Sequence, residues 1–471
     1  MSDLLSLPWL EAAIMAPLIG ALTVGRVRDP YRAARLGVAF TGGTFALIVF
    51  AGLATAVGAT TAGQAWDVQS RLFGGRPFAL DELTAPLVPV IALLHLLTAT
   101  STARTRMRRF SFAWSLATEW IGLATFTCTD RRMLVGLLAA GIVPPLMELH
   151  ERRRPARVYL LHLGLFVGLL IVGWWLTSAG SKDVGPGFLL VAVLIRCGAV
   201  PAHCWVTDWF EHSSFGNALL FVAPLTGVYA AARLLLPTAP AWALDVLGAA
   251  ALATAVYAAA MATVQREARR LFAFLFLSHG SLVLLGLSQD SPLSLTGSLR
   301  IWSSVVLSLG GFGLTLRALE ARIGRLSLTR YHGLYEHVPG LAVCYLLTGL
   351  ASVGFPFTLG FVGGDMLVEG SVEGNPWVAV GAVSAAALNG IAVVRAYFLL
   401  FTGARHGATI PLRATGRERF AVLTLAALIL GLGLVPQPAL MGRYRAAEQI
   451  LKERRARMDP PALATTDSLA H

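Results

Sequence analysis

A guanidinium and an imidazole stand inside one apolar run, IRCGAVPAHCW at residues 195–205. Arg196 comes first, the backbone is interrupted at Gly198 and Pro201, and His203 follows, with Asp208 one turn further on. An ionisable side chain at bilayer depth is expensive and by default marks a functional site. A Gly/Pro interruption at that depth persists only where the freed backbone groups are buried in protein or line a cavity. Histidine exchanges protons near neutral pH, whereas arginine stays charged. The chemistry these residues suggest is proton or cation passage beside a fixed positive charge.

A second stretch has the same character. GFPFTLGFVGGDMLVEG (354–370) carries Gly354, Pro356, Gly360, Gly363 and Gly364 within apolar sequence, then Asp365 and Glu369. Two such interrupted segments in corresponding places of two halves point to an inverted-repeat transporter with a pathway near the membrane midplane. Other polar residues in or near apolar runs are His95, Glu119, Glu148, His162, Arg233, Asp245, His279, Arg300 and Arg395. Arg233, Asp245 and Glu148 lie near span ends, where snorkelling side chains are the plainer explanation. Arg300 and Arg395, like Arg196, are mid-span guanidinium groups that need a buried partner. His203 and His279 serve equally as satisfied hydrogen-bonding groups or as proton exchangers. The ion-pathway candidates are Arg196, His203, Asp208, His279, Arg300, Asp365, Arg395 and Glu148.

Positioning these groups falls to membrane-spanning helices. Of 471 residues, 56% are hydrophobic and 14% charged, with a mean hydropathy of +0.66. Repeated apolar runs predict an all-α polytopic membrane protein of about 14 transmembrane helices, each able to cross a ~30 Å core. Residues 1–437 read as one transmembrane domain, and the first run as a retained span. The net charge of +12 does not indicate nucleic acid, because the arginines lie in short loops between spans. Arg26, Arg104, Arg152, Arg266 and Arg317 each head such a cluster, so these loops are expected to be cytoplasmic and the N-terminus outside. Residues 438–471 form a basic tail that this count places on the outer side. Either one span is miscounted, or 439–458 is an amphipathic helix lying on a membrane or a partner; the last dozen residues are expected to be disordered.

Soluble-enzyme signatures do not compete with this reading. There is no Walker loop, no HExxH and no nucleophile elbow. Cys128, Cys197, Cys204 and Cys344 lack zinc-type clustering and read as inert buried thiols. The chain is expected to contain no catalytic residue, metal site or cofactor of its own.

Five places carry a family resemblance: FALDELTAP (78–86) with His95, IRCGAVPAHCWVTDW (195–209), QREARRLFAFLFLSHG (265–280), GFPFTLGFVGGDML (354–367) and VVRAYFLLFTG (393–403). In order and spacing they resemble the antiporter-like membrane subunits of respiratory complex I and of multisubunit cation/proton antiporters. The resemblance implies an ion-translocating subunit of a larger complex in the cell inner membrane. It also exposes departures. Arg196 stands where the family has a lysine, and Ala140 where it has a partner glutamate, with Glu148 the nearest carboxylate. The eighth-span histidine falls near Phe221, and the histidine–lysine pattern of the eleventh span falls on Ser298, Trp302 and Val306, beside Arg300. A lysine-to-lysine relay is therefore absent.

These departures resemble the DabB branch, the membrane subunit of the DAB inorganic-carbon accumulation complex. That resemblance implies ion flow coupled to CO2/bicarbonate accumulation with a zinc-containing, carbonic-anhydrase-like partner, DabA. The alternatives are a proton-pumping subunit of an NADH- or hydrogenase-type complex and a non-conducting membrane anchor.

Overall fold

The computed structural model describes residues 7–58, 67–403 and 414–458. The described residues are all-helical, 77% helix, with no strand among them. The expected disorder at the end of the tail falls outside the described residues.

Several helices start where the sequence supplies both a cap and a proline. The Asp29 carboxylate accepts the amides of Tyr31 and Arg32 at the start of Pro30–Ala56, Ser291 caps Pro292–Ile323 and Asn375 caps Pro376–Phe401. Each side chain satisfies an orphan amide, and proline fits the first helical position because it has no amide to lose. Among the described residues, eight helical stretches are long and apolar enough to cross a membrane, two of them (Arg131–Glu151 and Phe215–Leu235) with an internal break, and four shorter apolar helices accompany them. The all-helical membrane architecture agrees with the sequence, whereas the count of about 14 spans is not confirmed, because several apolar runs fold as two short helices across a break.

Apolar composition does not separate inner from outer helices, but burial does. In their most apolar windows, Ala268–Ser288 is 100% buried and Pro292–Ile323 is 94% buried, against 22% for Arg157–Ser178 and 28% for Pro30–Ala56. The outer pair presents Leu161, Leu165, Trp175 and Leu53 outward, as lipid-facing helices must. The 32-residue helix Pro292–Ile323 is the hub, packing on Ala268–Ser288, Pro339–Ser352, Leu359–Val372, Gly416–Leu434 and Gln437–Met458.

Both expected breaks are present. Val184–Cys197 ends at Gly198, whose φ of +69° lies in the left-handed region, and Cys204–His212 resumes the pass. A Cβ at Gly198 would approach Leu277 Cδ2 to 2.6 Å and Val206 Cγ2 to 2.9 Å, so both conformation and space demand glycine. The break also leaves backbone groups to satisfy, and side chains do this. Trp205 Nε1 donates to the Ile195 carbonyl at 2.9 Å, and the Val200 amide donates to Thr254 Oγ1 at 3.0 Å.

The second break is narrower than 354–370. It occupies only 353–358, between Pro339–Ser352 and Leu359–Val372. Gly360, Gly363 and Gly364 lie within the continuous helix Leu359–Val372. Gly363 faces Gly297, and a Cβ there would meet Gly297 O and Arg300 Cβ at 3.0 Å. This is close backbone packing of the small-residue kind rather than interruption.

Two further interruptions were not anticipated. Arg131–Ala140 gives way to Val143–Glu151, and Phe215–Val222 is followed by Pro224, then Leu225 at φ +57°, before Thr226–Ala230. Trp302 Nε1 donates to the Pro224 carbonyl at 3.0 Å and so satisfies the latter break.

The basic tail segment is a helix, Gln437–Met458, that packs on the bundle itself. Its arginines meet carboxylates there: Arg445 pairs with Glu82 at 3.6 Å, and Arg454 and Arg455 with Asp290 at 3.8 and 3.7 Å.

Candidate ion-pathway chambers

Arg196 ends the first half of the broken helix and is buried. Its guanidinium lies over the Phe221 ring at 4.5 Å and the Trp205 ring at 5.5 Å. Among the described residues it makes no ion pair with a carboxylate. Aromatic faces stabilise a desolvated cation by about 2 kcal/mol, so the rings partly offset the loss of water around it. Beside it is a cavity of 30 Å³ lined by His95, Thr118, Thr125, Phe221 and Thr226. That volume accommodates a water molecule.

His95 brings a second group into this chamber. Its Nδ1 lies 4.0 Å from Glu119 Oε2, and both side chains are essentially inaccessible. Neither His95 Nδ1 nor either Glu119 oxygen has a hydrogen-bond partner among the described residues. The gap exceeds a direct hydrogen bond, and one bridging water or a small rotamer change spans it. An imidazole and a carboxyl can exchange a proton through one bridging water, and His95 lines the same cavity as the permanently charged Arg196.

His203 and Asp208 lie elsewhere. His203 packs edge-on against Tyr257 at 5.3 Å and near Phe274 at 6.1 Å. Asp208 pairs with His212 of its own short helix at 3.2 Å. No hydrogen bond or ion pair among the described residues joins Arg196, His203 and Asp208, so the expected passage from the break through His203 to Asp208 is not assembled as a contiguous chain.

The second break opens onto a larger cavity of 390 Å³, lined in part by His279, Ser304, Ser352, Gly354, Gly360 and Asp365. His279 is buried with Nδ1 at 2.6 Å from the Leu275 carbonyl. Asp365 is exposed, at the outer edge of this space. In the motif this stretch resembles, a lysine precedes the aspartate; here Gly364 stands in its place.

The remaining candidates separate by surroundings. Arg300 is 1% exposed; one Nη donates to the Pro436 carbonyl at 3.3 Å, while Nε and the other Nη lack partners among the described residues. Arg443 from the last helix donates to Leu83 O at 2.7 Å and Ser303 Oγ at 2.6 Å, so the interior there holds two guanidinium groups. Arg395 donates to the Gln265 carbonyl at 3.2 Å and ties down the turn before Ala268–Ser288. Glu148 is buried and accepts the Ser214 amide at 3.0 Å at the start of Phe215–Val222. Arg395 and Glu148 thus have clear structural work. Arg233, read as a snorkelling residue, is ion-paired with Asp81.

The pairing that sequence reading missed is His95 with Glu119. Each stands out as a polar residue in an apolar run, but they sit on neighbouring helices, Val88–Thr100 and Phe112–Thr127, and helical periodicity does not fix which faces meet.

Residues 174–389 match the family described as NADH:quinone oxidoreductase/Mrp antiporter, TM. NADH-quinone oxidoreductase subunit 13 of Thermus thermophilus is 28% identical over 404 residues, covering 80% of this chain and 85% of that protein. NADH-quinone oxidoreductase subunit N of Chromohalobacter salexigens is 29% identical over 288 residues, covering 58% and 60%. Among solved structures, a chain of respiratory complex I from Thermus thermophilus superposes with a TM-score of 0.80 at 23% identity, covering 94% of this chain and 99% of that one. A chain of the Mrp complex from Dietzia sp. gives 0.78 at 18% identity, covering 94% and 98%. The fold is therefore that of these membrane subunits, and the apolar helices make the chain a multi-pass membrane protein.

Proposed function

We propose that this chain is a proton-translocating, antiporter-like subunit of a multisubunit, redox-driven complex of the NADH- or hydrogenase-linked kind, in the inner membrane of a bacterial cell. The observation that carries this reading is the buried His95–Glu119 pair beside Arg196 at a helix break. It provides groups that exchange protons, a space for water, and a charge that cannot leave. The names of the relatives support membership of such a complex over the carbon-accumulation reading. The chain itself carries no redox step: its residues hold and pass protons, and partner subunits supply the driving reaction.

A second reading keeps the scaffold and changes the coupling. Arg196, Ala140 and Gly364 stand where the resemblance expects lysine, glutamate and lysine, and this favours ion flow coupled to CO2/bicarbonate accumulation by a zinc-bearing, DabA-like partner.

Purification of the assembled complex from native membranes, with its partners and metals identified, separates the two. Iron–sulfur or quinone-site subunits are expected; a zinc-bearing, carbonic-anhydrase-like partner without them would transfer support to the second. Reconstitution of the same complex tests conduction, and absence of any proton flux from a folded, driven complex would leave only an anchor.

A further inference from the structure

The arginine-rich loops meet in one basin. A cavity of 290 Å³ collects side chains from the segments after residues 103, 151, 263 and 323 and is lined by seven arginines against two glutamates, Glu211 and Glu320. Both glutamates are already engaged. Arg269 holds Glu320 through two bonds of 2.8 and 2.7 Å, and Arg270 holds Glu211 at 2.8 Å. Arg317 is directed to Thr98 O and Thr102 Oγ1. Arg109, Arg152 and Arg154 have no ion-paired carboxylate among the described residues. Arg152 reaches the Arg109 carbonyl at 2.9 Å, and its Nε is buried without a hydrogen-bond partner.

A second cavity of 650 Å³ shares Arg109, Phe110, Arg152 and Arg154 with the first. Beside these arginines it is lined by the apolar Val24, Val27 and Ala33, at the facing ends of Trp9–Val24 and Pro30–Ala56, and by Met107, just after Arg104–Arg106. Glu148 and Glu151 also line it; one Glu148 oxygen accepts the Ser214 amide, and its charge faces Arg152 alone among the three arginines. The two spaces form a trench that is cationic where they overlap and carries apolar side chains at the start of Pro30–Ala56, which presents Leu36 outward.

We infer that this trench binds an anionic phospholipid, its phosphodiester held by Arg109, Arg152 and Arg154 and its acyl chains lying along Val24, Val27, Ala33 and Met107. Convergent guanidinium groups match phosphate oxygens in charge and geometry, and basic pockets between spans are where anionic headgroups lodge. A free phosphate would leave the apolar wall unused. A headgroup with attached chains uses both ends.

The test uses the full chain, exchanged into equimolar phosphatidylcholine and phosphatidylglycerol in detergent, washed, and analysed for retained lipid by mass spectrometry. Wild-type protein is expected to retain phosphatidylglycerol over phosphatidylcholine about tenfold. The triple variant Arg109→Gln, Arg152→Gln, Arg154→Gln is expected to lose that preference, and the corresponding lysine variant to keep most of it. Substituting the exposed Arg35, Arg266 and Arg330 by glutamine is expected to change nothing. Equal loss in this control set would reduce the effect to diffuse surface charge and overturn the site. So would displacement of phosphatidylglycerol by millimolar inorganic phosphate, which would mark a free-phosphate pocket. If the glutamine variant does not fold, the wild-type competition decides alone, and absence of preference for phosphatidylglycerol rejects the inference.

Discussion

The two broken helices solve the same problem in opposite ways. At Gly198 the break is sealed: tryptophan and threonine side chains occupy the freed backbone groups, aromatic rings cover Arg196, and the adjoining cavity is 30 Å³. At Gly354 the break opens onto 390 Å³, with Asp365 exposed at the edge. A closed site can hold a desolvated charge in one geometry. An open one lets solvent or lipid do that work. Under the proposed function, proton handling is expected at the first break and tolerance of substitution at the second.

Stability should divide the breaks most sharply. Gly198→Ala combines left-handed backbone strain with overlap on Leu277 and should cost about 3 kcal/mol. Gly354→Ala, where the nearest atom would be 3.5 Å from the new Cβ, should cost about 1 kcal/mol. Thermal denaturation in detergent measures the order, and equal melting points would undo the contrast between sealed and open.

Trp205→Phe keeps the ring over Arg196 but removes one of two donors to the Ile195 carbonyl, which also accepts the Gly198 amide at 3.0 Å. A loss of about 1 kcal/mol is expected; a variant as stable as wild type would mean that the indole hydrogen bond does not help to seal the site. For function, Glu119→Gln in the assembled, reconstituted complex should lower proton flux about tenfold, while Asp365→Asn should change it less than about twofold. A pH-sensitive dye inside the vesicles reports both, and the reverse ranking would move the pathway to the second break. The smallest effect is expected from Arg196→Met. It removes a cation–π contact of about 2 kcal/mol together with a desolvated charge that lacks an anionic partner, and the two should cancel to within about 1 kcal/mol. A large destabilisation would instead reveal a buried counter-ion.

What could be read beforehand follows from which signals are local. The break at 198–203 was legible because Gly198, Pro201 and flanking ionisable residues coincide within one helical pass. At 354–370 the same letters misled: glycine serves a chain break and close helix packing equally, and only the facing Gly297 shows that Gly363 does the latter. Gly360 and Gly363 pack closely while Gly364 faces open space, so the four-residue glycine spacing did not mark the packed face. Pro144, Pro145 and Pro224 marked breaks that hydropathy alone passed over. His95 and Glu119 were visible singly, and their meeting depends on helix rotation, which no local pattern encodes. His203 and Asp208 do not join Arg196: His203 packs on Tyr257 and Phe274, and Asp208 pairs with His212, contacts that depend on neighbouring helices and not on the local sequence.

The last described helix carries one further consequence. Arg443 reaches Leu83 across 360 positions and Ser303 across 140, and the backbone at Pro436, just before that helix, receives Arg300. The ribosome has released almost every other span before these groups exist. During synthesis the polar groups around Arg300, Leu83 and Ser303 therefore lack these partners until residues 436–458 dock.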